Sequence, residues 1–332
     1  MEFLILLAPA ANRVYAAGAS PLVAAELEIL LGGRPVDTRT LAGVSYLAVD
    51  GEEADLPVLG RLSAGYAVFE RIGGHLRPVE VPRIDLFDDD LVSIPKYSGK
   101  TNEQFTRLLA NVTLSAVNRP QAARPPAILD PLCGRGTTLS TGLILGCEVA
   151  GVEADTKAVE AYAAFLKTYL RRKRLKHTAE LTPVRREGRS IGRRLDVQVT
   201  PADGGASRTL TVFTGDTRQS AALFGKRRFD AVVTDAPYGV VHSSRTDVRG
   251  VSGKRDRSAA GLLSEAMPVW VGQLRSGGAL GVSWNSLGLT RERLTTLATD
   301  AGLRPLDSGP YLRFAHRVDS SISRDIFVAV KD

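Results

Sequence analysis

From Pro126 onward the chain alternates short apolar strands with helical stretches, and its first strand runs straight into a glycine-rich turn. No other feature restricts the fold as much. Ala127–Leu129 reads as a strand, followed by Asp130-Pro131-Leu132-Cys133-Gly134-Arg135-Gly136-Thr137-Thr138 and a helix ending near Leu145. A strand over Glu148–Val152 precedes a helix over Lys157–Arg174, and further strands fall at Thr209–Thr214, Ala231–Thr234, Ala279–Ser283 and Ile326–Val330. Strands separated by helices pair in parallel and are covered on both faces, so the expected architecture is a doubly wound, Rossmann-like α/β sheet. Between Lys176 and Thr209, an arginine-rich connection with Arg185, Arg186, Arg189, Arg193 and Arg194 exceeds ordinary loop lengths and reads as a basic insertion at about 177–208.

Such sheets bind ligands at the carboxyl ends of their strands, and three successive ends carry suitable groups. Asp130 would hold the turn and approach the ligand, Gly134 and Gly136 leave room for it, and Thr137 and Thr138 start the helix. Cys133 reads as a small buried residue of the turn. Glu153, followed by Ala154, ends the second strand, where a carboxylate accepts hydrogen bonds from two ribose hydroxyls. Asp216, followed by Thr217, ends the third, where an acidic side chain can take the amino group of a base. A nicotinamide dinucleotide fits less well: the third glycine of its fingerprint is Leu139 here, and its pyrophosphate needs the helix N-terminus. S-adenosylmethionine (SAM), which has no phosphate, is the expected cofactor.

The fourth strand ends in Asp235-Ala236-Pro237-Tyr238-Gly239. An aryl amine is a poor nucleophile because its lone pair is delocalised into the ring. The Asp235 carboxylate and the Ala236 carbonyl can each accept an N–H bond, turning the amine toward tetrahedral geometry and aiming its lone pair at a methyl donor. Pro237 fixes the loop, and Tyr238 offers a face on which a base can stack. The same residues would also suit a plain strand-to-turn transition. Pyrimidine carbon-5 chemistry through a cysteine adduct is not expected, since Cys133 and Cys147, the chain's two cysteines, lie far from this loop in sequence.

Charge divides along the chain. Of 43 basic and 36 acidic side chains, residues 1–90 hold 7 and 14, and residues 91–332 hold 36 and 22. A basic region this lopsided suits a polyanion, although a solvated basic face has the same composition. Two cysteines and four scattered histidines give neither a disulfide framework nor a zinc site, so no metal is expected. Phe3–Ala8 reads as a first strand rather than a secretory signal, because Glu2 stands where a basic residue should. With no run long enough to cross a membrane, a cytoplasmic protein is expected.

The first ninety residues continue with a helix starting at Ser20-Pro21-Leu22 and stopped by Gly32-Gly33, strands at Val44–Val49, Tyr66–Arg71 and Leu76–Val81, and a helical stretch over Leu56–Ser63. That order is ferredoxin-like. Two domains are therefore expected, 1–90 as a small ferredoxin-like α+β unit and 91–332 as the Rossmann-fold unit, with the acidic run Asp85–Asp90 at the boundary.

With these residues in place, the chain resembles the RNA methyltransferases of the tRNA guanosine-10 N2 type, most closely the bacterial branch called TRM-eleven-like, over most of residues 91–332. Their catalytic domain carries Asp-Pro-Pro-Tyr where this chain has Asp235-Ala236-Pro237-Tyr238. The resemblance implies SAM as cofactor, N2-methylation of guanine in tRNA, and the roles given above to Asp235, Pro237 and Tyr238. Ala236 departs from the usual proline, which keeps the carbonyl and loses rigidity. A second stretch, Pro95-Lys96-Tyr97-Ser98-Gly99-Lys100-Thr101-Asn102 before a helix over Glu103–Val117, is similar to the cofactor-contacting segment of several amino-methyltransferases. It would place Lys96, Tyr97 and Gly99 beside SAM; a surface turn with a helix cap reads equally from the residues. Relatives carry an RNA-binding THUMP module beside a ferredoxin-like one, and residues 1–90 leave hardly room for both, so packing, shape-based RNA contact or a protein partner stay open there.

Three basic clusters are candidates for nucleic-acid contact: Arg171, Arg172, Lys173 and Arg174; the insertion with Arg185 and Arg186; and Arg245, Arg249, Lys254 and Arg255 in the loop after Tyr238. Two other functions fit the same residues. One is a DNA adenine-N6 or cytosine-N4 methyltransferase, disfavoured because no target-recognition domain is visible. The other is a SAM-binding RNA-binding protein that has lost catalysis, which Ala236 would explain.

Overall fold

The computed structural model describes residues 1–9, 13–82, 84–118, 124–186, 189–237 and 259–332, with side chains 13–17, 186 and 189–191 left undescribed. The first sheet is antiparallel. Its elements are β1 (Glu2–Leu7), α1 (Arg13–Leu30), β2 (Asp37–Leu41), β3 (Val44–Asp50), the single-turn helix α2 (Leu56–Leu59), β4 (Gly65–Ile72) and β5 (His75–Val79). The strand order β2-β3-β1-β4-β5 is that of a ferredoxin-like βαββαβ unit with β5 added at one edge. Phe3 and Ile5 of β1 pack with Leu47, Val49 and Val68 beneath Val23 and Leu27 of α1.

Three details differ from the sequence reading, the first being that the helical stretch expected over Leu56–Ser63 stops at Leu59. Helix α1 begins at Arg13 and contains Pro21, so Ser20 is no cap. Strand β2, polar and almost wholly exposed, was not anticipated because neither of its faces is apolar.

The second sheet follows α3 (Asp90–Ser93) and α4 (Glu103–Ser115). Its elements are β6 (Ala127–Asp130), α5 (Thr137–Ile144), β7 (Glu148–Glu153), α6 (Thr156–Arg172), β8 (His177–Arg186), β9 (Arg189–Val199), β10 (Arg208–Thr214), α7 (Ser220–Phe224), β11 (Phe229–Asp235), α8 (Ala259–Gln273), β12 (Leu274–Asn285), α9 (Arg291–Asp300), β13 (Arg304–Pro305), β14 (His316–Arg317) and β15 (Ser323–Val330). The order is β13-β15-β12-β11-β6-β7-β10-β9-β8, with β14 on β15. Strands β6, β7, β10, β11 and β12 run parallel, and β15 and β9 run against their neighbours. This is a doubly wound Rossmann-like sheet.

Alternate residues of β11 feed the two cores. Ala231 and Val233 face α4, α5 and α6, and Val232 faces Met267 and Trp270 of α8 and Leu294 and Leu297 of α9. Helix α4 lies so close to β12 that a Cβ on Gly281 would sit 1.8 Å from Thr113 Oγ1, so only glycine fits there. The chain builds β6, β7 and β10 to one side, then crosses to β11 and β12. The order therefore reverses between β6 and β11, and ligands bind doubly wound sheets at such a point. No helix among the described residues is long and apolar enough to cross a membrane.

Candidate active site

Asp130 closes β6 at the switch point, 2 % exposed beneath the glycine-rich turn. Its Oδ1 accepts the Leu132 N–H at 3.1 Å and the Thr234 hydroxyl at 2.8 Å, and the Thr138 hydroxyl adds a further bond. Burial nevertheless pushes its carboxyl up to about 7, and the nearby Asp235 charge acts in the same direction.

The turn is shaped by two glycines in the left-handed region, Gly134 at φ 50° and Gly136 at φ 80°. A Cβ on Gly136 would lie 2.3 Å from the ring of buried Tyr162, whose hydroxyl bonds Ser140 at 3.0 Å. A Cβ on Gly134 would meet nothing within 4 Å, so its backbone faces open space. Cys133 is buried against Gly151 and supports the turn from below; burial pushes its thiol well up, which makes it inert.

Glu153 ends β7 and joins this turn. Its carboxylate accepts the Gly134 N–H at 2.9 Å and the Asp155 N–H at 2.8 Å, and exposed Ala154 lies between. A carboxylate has about four acceptor positions, so ribose hydroxyls can still be bound. At the end of β10, Asp216 is held by Arg218 through bonds of 2.6–3.0 Å, and Arg218 also reaches Glu265 of α8. The Thr217 hydroxyl points into the core, where it accepts the Trp270 Nε1–H at 2.9 Å. The Thr217 side chain is thus engaged in the core, and its backbone follows Asp216 at the strand end.

The segment before α4 lies against the same turn. The Tyr97 hydroxyl is 2.7 Å from Thr137 Oγ1, and the Arg135 guanidinium stands 5.1 Å from the Tyr97 ring centroid. Lys96 and Gly99 are exposed on either side of Tyr97.

Asp235 closes β11, one strand from Asp130. Ser283 Oγ donates to its Oδ1 at 2.7 Å, and Thr101 Oγ1 donates to its Oδ2. The buried Ala236 N–H bonds the Ser283 carbonyl at 2.8 Å, and Pro237 is half-buried. Tyr238, Arg245, Arg249, Lys254 and Arg255 lie outside the described residues.

No protein-family model matches this chain. No curated protein matches it either. Solved structures do. TrmN from Thermus thermophilus is similar at 14% identity over 100% of both chains with a TM-score of 0.46. The T. thermophilus 16S rRNA N2 G1207 methyltransferase RsmC, solved with AdoMet and guanosine, is similar at 17% identity over 90% of this chain and 58% of its own, TM-score 0.37. TehB from Haemophilus influenzae is similar at 12% identity over 63% of this chain, TM-score 0.34, and this chain spans 59% of its length.

The basic clusters fall in different places. Helix α6 leaves the carboxyl edge after Glu153 and runs back along the sheet, so Arg171, Arg172, Lys173 and Arg174 stand at the opposite edge from Asp235, about 24 Å along the helix. Lys173 is moreover tied to Asp88 at 2.9 Å and Asp90 at 2.6 Å. This cluster, a candidate for nucleic-acid contact, therefore lies at the sheet edge opposite Asp235. Hairpin β8–β9 behaves otherwise. Arg194 pairs with Phe213 near the end of β10, and Ser190 pairs with Arg185 farther out, so the hairpin overshoots the carboxyl edge by roughly 10 Å at about 3.3 Å per residue. Arg185 and Arg193 are exposed there, and the Arg186 side chain is undescribed.

Sequence reasoning missed Thr101, Ser283, Thr234 and Arg218. Each touches a residue that it did name, but the partners of Thr101, Ser283 and Thr234 are 134, 48 and 104 positions away, and no local spacing signals such contacts. Arg218 is only two residues from Asp216 and stood within reach of a local reading.

Proposed function

We propose that this protein is a SAM-dependent methyltransferase acting on the exocyclic amino group of a nucleic-acid base, with guanine N2 in tRNA as the substrate the family resemblance implies. The observation carrying the reading is the pair of carboxylates at the switch point. Asp130 lies under a glycine-rich turn, Asp235 lies on the adjacent strand end, and Thr234 bonds the first while adjoining the second.

The residues fit SAM. Gly134 leaves backbone open to a ligand, Glu153 offers acceptors for ribose hydroxyls, and Tyr97 walls the turn from outside. SAM, when bound, supplies an electrophilic methyl group. Asp235 and the Ala236 carbonyl accept the two N–H groups of the target amine and free its lone pair. Asp235, as acceptor of one N–H, would also be placed to take up the proton that the amine gives up on methylation.

Incubation with labelled SAM and either RNA or DNA tests this. Label is expected in RNA and should disappear in Asp235→Ala, with SAM affinity kept. Glu153→Ala should instead weaken SAM binding. Transfer to DNA alone would replace RNA as substrate, and SAM binding without transfer to either would leave a binding protein.

A further inference from the structure

We infer that Thr101 and Ser283 are positioning residues for Asp235, an inference that rests on the reading of Asp235 as acceptor of the target amine. The outer torsion of an aspartate is broad and two-fold, so the backbone alone does not set the plane of its carboxylate. Here that plane is fixed from two sides. Ser283 Oγ donates to Oδ1 at 2.7 Å, and Thr101 Oγ1 donates to Oδ2. Among the described residues each oxygen receives one of these two hydroxyls, and a carboxylate offers about four acceptor positions in all.

Both donors come from separately anchored elements. Ser283 is fully buried in β12 directly beside Asp235 in parallel register, and its carbonyl also takes the Ala236 N–H. Thr101 precedes Asn102, whose side chain caps α4 by accepting the Phe105 N–H at 2.9 Å, and α4 is locked by buried Phe105, Leu108 and Leu109. Four residues upstream, Tyr97 bonds Thr137 of the glycine-rich turn. The stretch 97–101 therefore ties the cofactor turn and the carboxylate together and fixes one relative to the other. Misplacing a reacting group by an ångström costs about a hundredfold in rate, and these hydroxyls guard against that misplacement.

Steady-state kinetics on the full chain test the inference, using Thr101→Val, Thr101→Ser and Ser283→Ala. Thr101→Val, which keeps shape and removes the hydroxyl, should lower kcat about 10–100-fold with SAM KM within about twofold, and Thr101→Ser should restore most of it. Ser283→Ala should act in the same direction. Unchanged kcat in Thr101→Val and Ser283→Ala beside an inactive Asp235→Ala would overturn the positioning role and leave the methyltransferase reading standing. Equal losses in Thr101→Ser and Thr101→Val would also overturn it, because packing and not the hydroxyl would then matter. Full transfer by Asp235→Ala would remove the reading and the inference together.

Discussion

Asp130 closes β6 at the point where the strand order of the second sheet reverses. It is buried under a turn, bonded by Thr234, Leu132 and Thr138, and still pushed from 3.8 to about 7 by loss of water. Between those values the unfolded chain ionises this group while the folded protein keeps it neutral, so its contribution to stability falls as pH rises through about 7. A cation beside it would favour the ionised form. SAM carries positive charge on its sulfonium and ammonium groups. If SAM binds beside Asp130 as proposed, binding at pH 6 should release a proton, with affinity rising toward pH 7 and levelling above it. Calorimetry in two buffers of different ionisation enthalpy counts that proton, and identical heats in both would show that Asp130 does not sense the ligand.

Hairpin β8–β9 gives an element-scale prediction. Arg185 and Arg193 stand beyond the carboxyl edge; Arg193 is 3.2 Å from Glu160, but both partners are nearly half exposed and such pairs are worth little, so a phosphate can compete. If RNA binds at this edge, Arg185→Ala with Arg193→Ala should weaken it and reduce the salt slope by about 0.7–0.9 for each phosphate left unneutralised. Arg171→Ala with Arg172→Ala, at the other edge, should leave affinity unchanged, and the reverse pattern would move the RNA to the amino edge. The hairpin was the least legible element, because its many arginines read as a loop. Yet Leu195, Val197 and Val199 alternate and are buried, a period-two signal that was available. The strands β6, β7, β10, β11 and β12 were legible because each is a short apolar run bounded by turn residues, and Asp130, Gly134, Gly136 and Glu153 came with them by lying at their ends. The carboxylate partners Thr101 and Ser283 were not, since tertiary packing alone brings them to Asp235.

Across the whole molecule, the acidic N-terminal sheet and the basic sheet meet at a polar seam. Glu26 of α1, fully buried, accepts the Ser63 N–H at 3.1 Å, the Ser63 hydroxyl, and the Asn111 amide of α4 at 2.7 Å. Beside it Arg107 of α4 donates to the Arg61 carbonyl at 3.0 Å and pairs with Asp85 at 2.7 Å. Burial outweighs these donors and pushes the Glu26 carboxyl from 4.5 up to about 7. The seam is therefore strongest with Glu26 protonated: full stability below about 4.5, declining as the unfolded chain ionises, and a constant deficit above about 7. At 1.36 kcal/mol per unit that deficit is about 3 kcal/mol. Glu26→Gln keeps an acceptor for Asn111 and the Ser63 N–H, and its amide can donate to the Ser63 hydroxyl. The variant should match the wild type in urea unfolding near pH 4.5 and exceed it by up to about 3 kcal/mol at pH 8. Tryptophan fluorescence reports Trp270 of α8 and Trp284 of β12, both packed with the second sheet, and far-ultraviolet dichroism reports both sheets. If the seam couples them, the two signals shift together; a stability difference independent of pH would mean that Glu26 is ionised in the folded protein.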